Sequence, residues 1–83
     1  IQIFMKNDID ANIKEIIIDL AKEDNLKEIK LNSINRSSLL IDDFGFDSFN
    51  LAQLTVILED KYGIDVFEES IIRTYGELID KIK

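Results

Sequence analysis

The 83-residue chain contains no cysteine, no histidine and no proline, and it has only three glycines. Without Cys there is no disulfide framework, no thiolate metal site and no thiol nucleophile. Without His the Ser-His-Asp arrangement of serine hydrolases is excluded. The absence of Pro, together with many Ile and Leu, favours a small helical bundle. We therefore expect neither a metal site nor a catalytic residue in this chain.

Long apolar runs are absent as well. No stretch approaches the roughly 20 apolar residues that span a bilayer, and no signal-peptide pattern is present. We expect no membrane association, and the lack of Cys is compatible with a cytoplasmic location. The length suits one domain over residues 1–83, because so short a chain buries only about 60% of its unfolded surface and can form one compact core. We expect residues 1–7 to be a flexible extension of this domain. We expect a monomer.

Basic residues are scarce in one part of the chain. Of the 17 acidic and ten basic residues, eight acids and one base lie in residues 42–69, so this segment accounts for the whole net charge of −7. Such a segment repels nucleic acid and attracts basic proteins. We predict no nucleic-acid binding and a basic protein partner. An acidic face that serves only solubility is the alternative.

The apolar spacing predicts four helices. The first is capped by Asp8 or Asp10 and has one apolar stripe, formed by Ile9, Ile13, Ile16, Ile17 and Leu20. A long connection follows over 23–46, and its predicted core anchors are Leu26, Ile29, Leu31, Ile34, Leu39, Leu40 and Ile41. Part of so long a loop should be ordered.

The remaining helices are bounded by recognisable caps. The second runs from Ser48 to about Tyr62 and ends at Gly63. A short third helix is predicted over 67–72. Thr74 and Glu77 fit a capping box for the last helix, where Gly76 indicates a close packing contact. The predicted fold is an all-α four-helix bundle with a long first loop and a short third helix.

The second predicted helix has two apolar strips. Its core stripe consists of Leu51, Leu54, Thr55, Leu58 and Tyr62. A second strip of Phe49, Ala52 and Val56 lies beside Ser48, at about 40° to 100° from it on a helical wheel. Either loop residues cover this strip, or it is a docking surface with an acidic rim.

Residues 43–49 place the hydroxyl of Ser48 at the start of this helix. Gly45 permits a tight loop, Asp47 is a good N-cap, and Ser48 falls in the first turn, where unpaired N–H groups and the helix dipole tolerate a phosphate. Ser48 has no obvious activating base. Lys61, the one lysine in the segment, lies about 20 Å along the helix. We therefore expect Ser48 to be modified rather than catalytic.

The order acidic, any, Gly, any, Asp-Ser, large apolar resembles the attachment motif of acyl and peptidyl carrier proteins. Gly45, Asp47 and Ser48 match it, with Asp43 at the leading acidic position, while aromatic residues stand where smaller aliphatics are commoner. The resemblance implies a four-helix bundle in which a phosphopantetheinyl transferase places 4′-phosphopantetheine from coenzyme A on Ser48. It also implies that Asp47 helps the transferase position a magnesium ion and the hydroxyl.

The resemblance further implies partner enzymes with basic patches that load and process acyl or aminoacyl groups. The docking residues that it places on this chain, with the neighbouring acids, are Asp43, Phe49, Ala52, Gln53, Val56, Glu59, Asp60, Glu68 and Glu69. Leu54, Leu58 and Ile79 would line the cleft that shelters an acyl chain in some carriers.

One departure leaves the pathway open. Typical fatty-acid carriers have carboxylates where this chain has Asn50 and Gln53, which weakens the predicted docking rim. Fatty-acid synthesis and a dedicated pathway with an acyl, aminoacyl, D-alanyl or peptidyl cargo therefore both remain. The rival from another class is a non-carrier acidic interaction domain that binds a basic partner through the Phe49 and Val56 strip and uses Ser48 merely as a cap.

Overall fold

The computed structural model describes residues 9–67 and 71–82. It contains three α-helices, α1 (Ile9–Glu23), α2 (Ser48–Tyr62) and α3 (Tyr75–Ile82), and a short 3₁₀ helix over Leu31–Ser33. These ranges contain no β-strand; Leu39 and Thr74 form only an isolated antiparallel bridge. The all-α prediction is confirmed.

The predicted short third helix is not among these elements. Phe67 lies in a turn and Ile71 and Ile72 are not helical, while residues 68–70 lie outside the described residues. The helix predicted over 67–72, which would bring the count to four, therefore stays a prediction. Asp8 as a cap and the extension over 1–7 also fall outside the described residues. Asp10 lies within α1 rather than before it.

The core is formed by the predicted faces of the helices. Ile13, Ile17 and Leu20 of α1 are buried, as are Leu54 and Leu58 of α2. From α3 and the segment before it the core receives Val66, Ile72, Tyr75, Leu78, Ile79 and Ile82. Burying one large apolar side chain stabilises the fold by about 1.5–3 kcal/mol, so this cluster is the main source of stability.

The connection between α1 and α2 is anchored at fewer positions than predicted. Ile29, Ile34 and Leu40 are buried, but Leu31, Leu39 and Ile41 are 49%, 37% and 59% exposed. The last two flank Leu40, which is fully buried. Residues 40–44 form a turn in which Asp43 N donates to Leu39 O and Gly45 N to Ile41 O, and in this turn Leu40 faces the core while both neighbours face solvent.

Backbone hydrogen bonds join this connection to the start of α3. Leu40 N donates to Arg73 O at 3.0 Å, Tyr75 N to Ser38 O at 2.9 Å, and Gly76 N to Arg36 O at 3.0 Å. A Cβ at position 76 would lie 2.9 Å from the Arg36 carbonyl oxygen, which confirms the close packing predicted for Gly76. These bonds hold the loop that leads to α2 against the last helix.

The caps predicted for the start of α3 and for the end of α2 are both present. At α3, Glu77 Oε1 accepts from Thr74 N at 3.1 Å, and Thr74 Oγ1 accepts from Glu77 N at 3.2 Å. At the end of α2, Gly63 adopts the left-handed conformation with φ 70° and donates to Glu59 O at 2.8 Å. The ends of these helices are therefore fixed by local chemistry.

Candidate functional site

The start of α2 is held by a reciprocal capping box. Asp47 Oδ1 accepts from Asn50 N at 2.9 Å, and Asn50 Oδ1 accepts from Asp47 N at 3.0 Å. Asp47 has the extended backbone typical of an N-cap, with φ −108° and ψ −173°. Two otherwise orphan N–H groups are satisfied, so the helix starts where the sequence predicted.

The loop before α2 is anchored to the core by two buried aromatic residues. Phe44 and Phe46 are 2% and 1% exposed and pack edge to face with their ring centroids 5.8 Å apart. Between them Gly45 has φ 77°, which an L side chain rarely adopts. The large residues at these two motif positions therefore anchor the loop in the core.

Ser48 is the first residue of α2 and is exposed to solvent. Among residues 9–67 and 71–82, no hydrogen-bond partner occupies its hydroxyl, and no protein acceptor faces the amides of Ser48 and Phe49. An N-terminal helix turn carries a partial positive charge, so an anion esterified to Ser48 would be stabilised there. The site fits a phosphate group in access, hydrogen bonding and electrostatics.

The second apolar strip of α2 is open. Phe49 and Val56 are 66% and 64% exposed, and Ala52 is exposed as well. The described loop residues therefore do not cover this strip, and its role in docking stays a prediction. Glu59 and Asp60 are exposed farther along the same helix and provide negative charge.

Two other predicted docking sites have different surroundings. Asp43 is exposed, and its Oδ2 accepts from Leu39 N at 2.7 Å, so it also closes the turn from Leu39 to Asp43. Glu68 and Glu69 lie outside the described residues. Their part in docking stays a prediction.

Asn50 does not lie on the docking rim, and this corrects the expectation from the sequence. It is 4% exposed, and its Nδ2 donates to Asp24 Oδ2 and, at 3.2 Å, to Gln53 Oε1. Gln53 is half-buried in the same contact. The absence of a carboxylate at position 50 is therefore explained by the buried hydrogen bonds of Asn50, and it removes no charge from the surface.

Sequence reasoning missed Asp24 altogether. Asp24 follows the last residue of α1 and lies 26 positions before its partner, so no local pattern connects the two. The spacing of Asp47 and Asn50 is that of a capping box, and it was the one signal that could have identified Asn50 as structural.

An apolar cavity of about 400 Å³ lies beside α2. Leu39, Ile41, Leu51, Phe67, Ile71 and Ile72 form its apolar wall, and Asp42 and Arg73 also line it. Leu54, Leu58 and Ile79, which the resemblance placed in an acyl cleft, are buried in the core and do not line this cavity. Within the described ranges, no cluster of acidic residues is arranged to hold a metal ion.

The described helices include none that is both long and apolar enough to cross a bilayer.

Comparison with known proteins agrees with this geometry. The family described as "Phosphopantetheine attachment site" matches residues 11–82. The chain is 29% identical to an acyl carrier protein of Chlamydia caviae over 77 residues, which cover 90% of this chain and 92% of that protein. It is 30% identical to the acyl carrier protein of Chlamydia felis, with 90% and 91% covered.

A relative from another lineage is named for a particular process. The chain is 29% identical to the meromycolate extension acyl carrier protein of Mycolicibacterium aurum, over 88% of this chain and 78% of that protein. No solved structure gives a significant match.

Proposed function

Because this chain belongs to the acyl carrier protein family, whose members carry 4′-phosphopantetheine, we propose that Ser48 is its attachment site. The family consists of carriers rather than enzymes. The observation that supports the proposal is an exposed Ser48 hydroxyl in the first turn of α2, free of side-chain partners within the described residues. The Asp47 cap and the buried aromatic residues around Gly45 hold that turn in place.

The attachment step requires a base, and we propose that the transferase supplies it. Ser48 Oγ attacks the phosphorus that bears the pantetheine of coenzyme A, forming a new P–O bond while the bond to the second phosphate breaks. The serine proton passes to a base of the transferase, and adenosine 3′,5′-bisphosphate leaves. Lys61 lies in the last turn of α2, at the opposite end from Ser48.

Once bound, the arm supplies a terminal thiol that holds cargo as a thioester. We propose an apolar acyl chain as the cargo, because the cavity beside Leu51 is lined mainly by aliphatic and aromatic side chains. The neutral residue at position 50 is no argument for an aminoacyl cargo, because the hydrogen bonds of the buried Asn50 side chain account for it. Synthesis of fatty acids or of related specialised acyl chains is the pathway class that this supports.

We further propose that Phe49, Ala52 and Val56 form the docking surface. Its apolar side chains are exposed beside Ser48, and Asp43, Glu59 and Asp60 would attract a basic patch on the transferase and on loading enzymes. The expected location is the cytoplasm and the expected state is a monomer.

Intact mass after incubation with coenzyme A, magnesium and a promiscuous phosphopantetheinyl transferase tests the proposal. The wild-type chain should gain the mass of one 4′-phosphopantetheine group. Ser48→Ala should gain nothing, while Ser37→Ala, which removes another exposed serine, should be modified like the wild type. A chain that several transferases leave unmodified would favour the non-carrier interaction domain.

A further inference from the structure

We propose that Asn50 is a positioning residue for the modification of Ser48 and that it acts through Asp24. This inference rests on the proposed function, since it concerns how the Ser48 hydroxyl is presented to the transferase. The four residues Asp24, Asp47, Asn50 and Gln53 are called the Asn50 network below.

The side-chain amide of Asn50 is fully used within this network. Its oxygen accepts from Asp47 N, and its nitrogen donates to the Asp24 carboxylate and to Gln53 Oε1. Its backbone N–H donates to the Asp47 carboxylate. A buried amide with all these partners permits one orientation of the first turn of α2.

Asp24 is itself held in place by the end of α1. Asp24 N donates to Leu20 O at 3.1 Å, and Leu26 N donates to Ala21 O at 2.9 Å. Between them Asn25 adopts φ 56°, a left-handed conformation that asparagine tolerates better than most residues. Asp24 therefore has a fixed place at the end of α1, and its bond to Asn50 ties the first turn of α2 to that helix.

This tie matters because the ends of helices fray. Ser48 is the first residue of α2, so the direction of its hydroxyl depends on the first turn being fully formed. A reacting group displaced by about 1 Å can lose on the order of 100-fold in rate. The Asn50 network fixes this turn without touching the hydroxyl, which leaves Ser48 open to a transferase.

The charges of the network explain why position 50 is neutral. The Asp24 and Asp47 carboxylates both accept hydrogen bonds from Asn50, and Glu23 lines the same pocket. A carboxylate at position 50 could not donate to Asp24 and would add a further negative charge to a buried position. An amide side chain can donate to the Asp24 carboxylate and accept from the Asp47 backbone N–H at the same time.

Exchanging the two side chains tests the inference. In Asp24→Asn/Asn50→Asp, the amide at 24 can donate to the carboxylate at 50, which still accepts from Asp47 N, and the net charge is unchanged. We expect Asn50→Asp to lower kcat of modification about tenfold. The exchanged pair should recover to within about twofold of the wild type. KM for the carrier should change little, because the docking surface is intact.

Two further variants separate positioning from loss of stability. Asp24→Ala removes the tie from outside the capping box and should also lower kcat. Tyr75→Phe, which loses a hydrogen bond elsewhere, should lower the melting temperature while kcat stays at the wild-type value. All rates are measured at least about 15 °C below the melting temperature of each variant, where two-state domains are almost entirely folded.

The outcomes distinguish this inference from the proposed function. If the wild-type chain is not modified, both are overturned. If it is modified and Asn50→Asp and Asp24→Ala keep the full kcat, only the inference on Asn50 is overturned. The same holds if the exchanged pair is as slow as Asn50→Asp, or if Tyr75→Phe lowers kcat in proportion to its loss of stability.

Discussion

The phenol of Tyr75 donates to the backbone carbonyl of Asp10 at 2.9 Å and also to its carboxylate, which joins the last helix to the first across 65 positions. The ring is buried, and the Lys14 ammonium lies 5.8 Å from its centroid while pairing with Asp10 at 3.3 Å. Burial first, and then the hydrogen bond to Asp10, raise the pKa of Tyr75 well above its ordinary value.

Removing this phenol should destabilise the protein and change its response to alkaline pH. Tyr75→Phe should lower the free energy of unfolding by about 1 kcal/mol at neutral pH. Because the folded pKa is raised, the stabilisation is complete below the unfolded pKa of about 10 and is lost as the pH rises above it. Thermal melting from pH 7 to 11 should show a shallower alkaline decline in Tyr75→Phe than in the wild type.

Tyr62→Phe is the matched control for this experiment. It removes a half-buried phenol from α2 and leaves the contact between Tyr75 and Asp10 intact. Tyr62 makes the smallest of the contributions that raise the pKa of Tyr75, so the alkaline decline of Tyr62→Phe should stay close to that of the wild type. An equal slope in the wild type and Tyr75→Phe would contradict the assignment.

Gly76→Ala should destabilise the protein although alanine is the better helix former. Helix propensity alone predicts a gain of about 1 kcal/mol. A Cβ would instead lie 2.9 Å from the Arg36 carbonyl oxygen, which accepts the Gly76 amide, so backbone would have to move. We expect a net loss of about 1–3 kcal/mol, measured by urea unfolding. A more stable variant would show that the backbone at Arg36 can move away from the added methyl group without lowering the free energy of unfolding.

Glu77 should contribute to stability in a manner that acid removes. Its carboxylate accepts from the amides of Arg73 and Thr74, which lowers the pKa of Glu77. A lowered folded pKa means that the stabilisation is present above the unfolded pKa of about 4.3 and is lost as the pH falls through the folded value.

Glu77→Gln keeps an acceptor but has no charge to titrate. Its melting temperature should therefore be lower than that of the wild type at pH 7, and the gap should close as the pH falls below about 4. The comparison is made variant against wild type because the chain contains many other acidic residues. A gap that stays constant down to pH 2.5 would contradict the prediction.

Truncating the docking surface should slow modification and spare the fold. Phe49→Ala and Val56→Ala remove exposed side chains, so stability should change by less than about 0.5 kcal/mol. We expect KM for the carrier in the transferase reaction to rise about threefold to tenfold, because each lost contact is worth about 1 kcal/mol. Initial rates at several carrier concentrations give this value.

Leu31→Ala is the matched control for docking. Leu31 is an apolar residue of comparable exposure, 49%, but it lies on the connection and not on α2. Its KM should equal that of the wild type. If Leu31→Ala and Phe49→Ala raise KM equally, general surface hydrophobicity and not this strip governs recognition.

The features that the sequence predicted correctly depend on residues close together in the chain. The Asp47 start, the Gly63 end and the capping box of Thr74 and Glu77 each need only a few neighbouring residues, and all three are confirmed. The wheel of α2 also separated the buried Leu54 and Leu58 from the exposed strip, because helical geometry is fixed by local bonds.

The features that were predicted wrongly depend on distant parts of the chain. Asn50 was placed on the surface because its partner Asp24 lies 26 positions away, just after the end of α1. Leu31 and Ile41 were taken as core anchors because apolarity alone does not reveal which way an irregular segment turns. Contacts with distant segments accompany that direction: residues 36–40 bond to 73–76, the 3₁₀ helix over Leu31–Ser33 lies against α1, and no sequence period records these contacts.

Those contacts have a consequence for biosynthesis. The backbone of residues 36–40 bonds to residues 73–76, so the loop that leads to Ser48 is completed by a segment translated well after it. A nascent chain released only as far as α2 would lack these partners. On the proposed function, Ser48 is therefore expected to become a competent acceptor only once residues 73–76 have been made and bonded to residues 36–40.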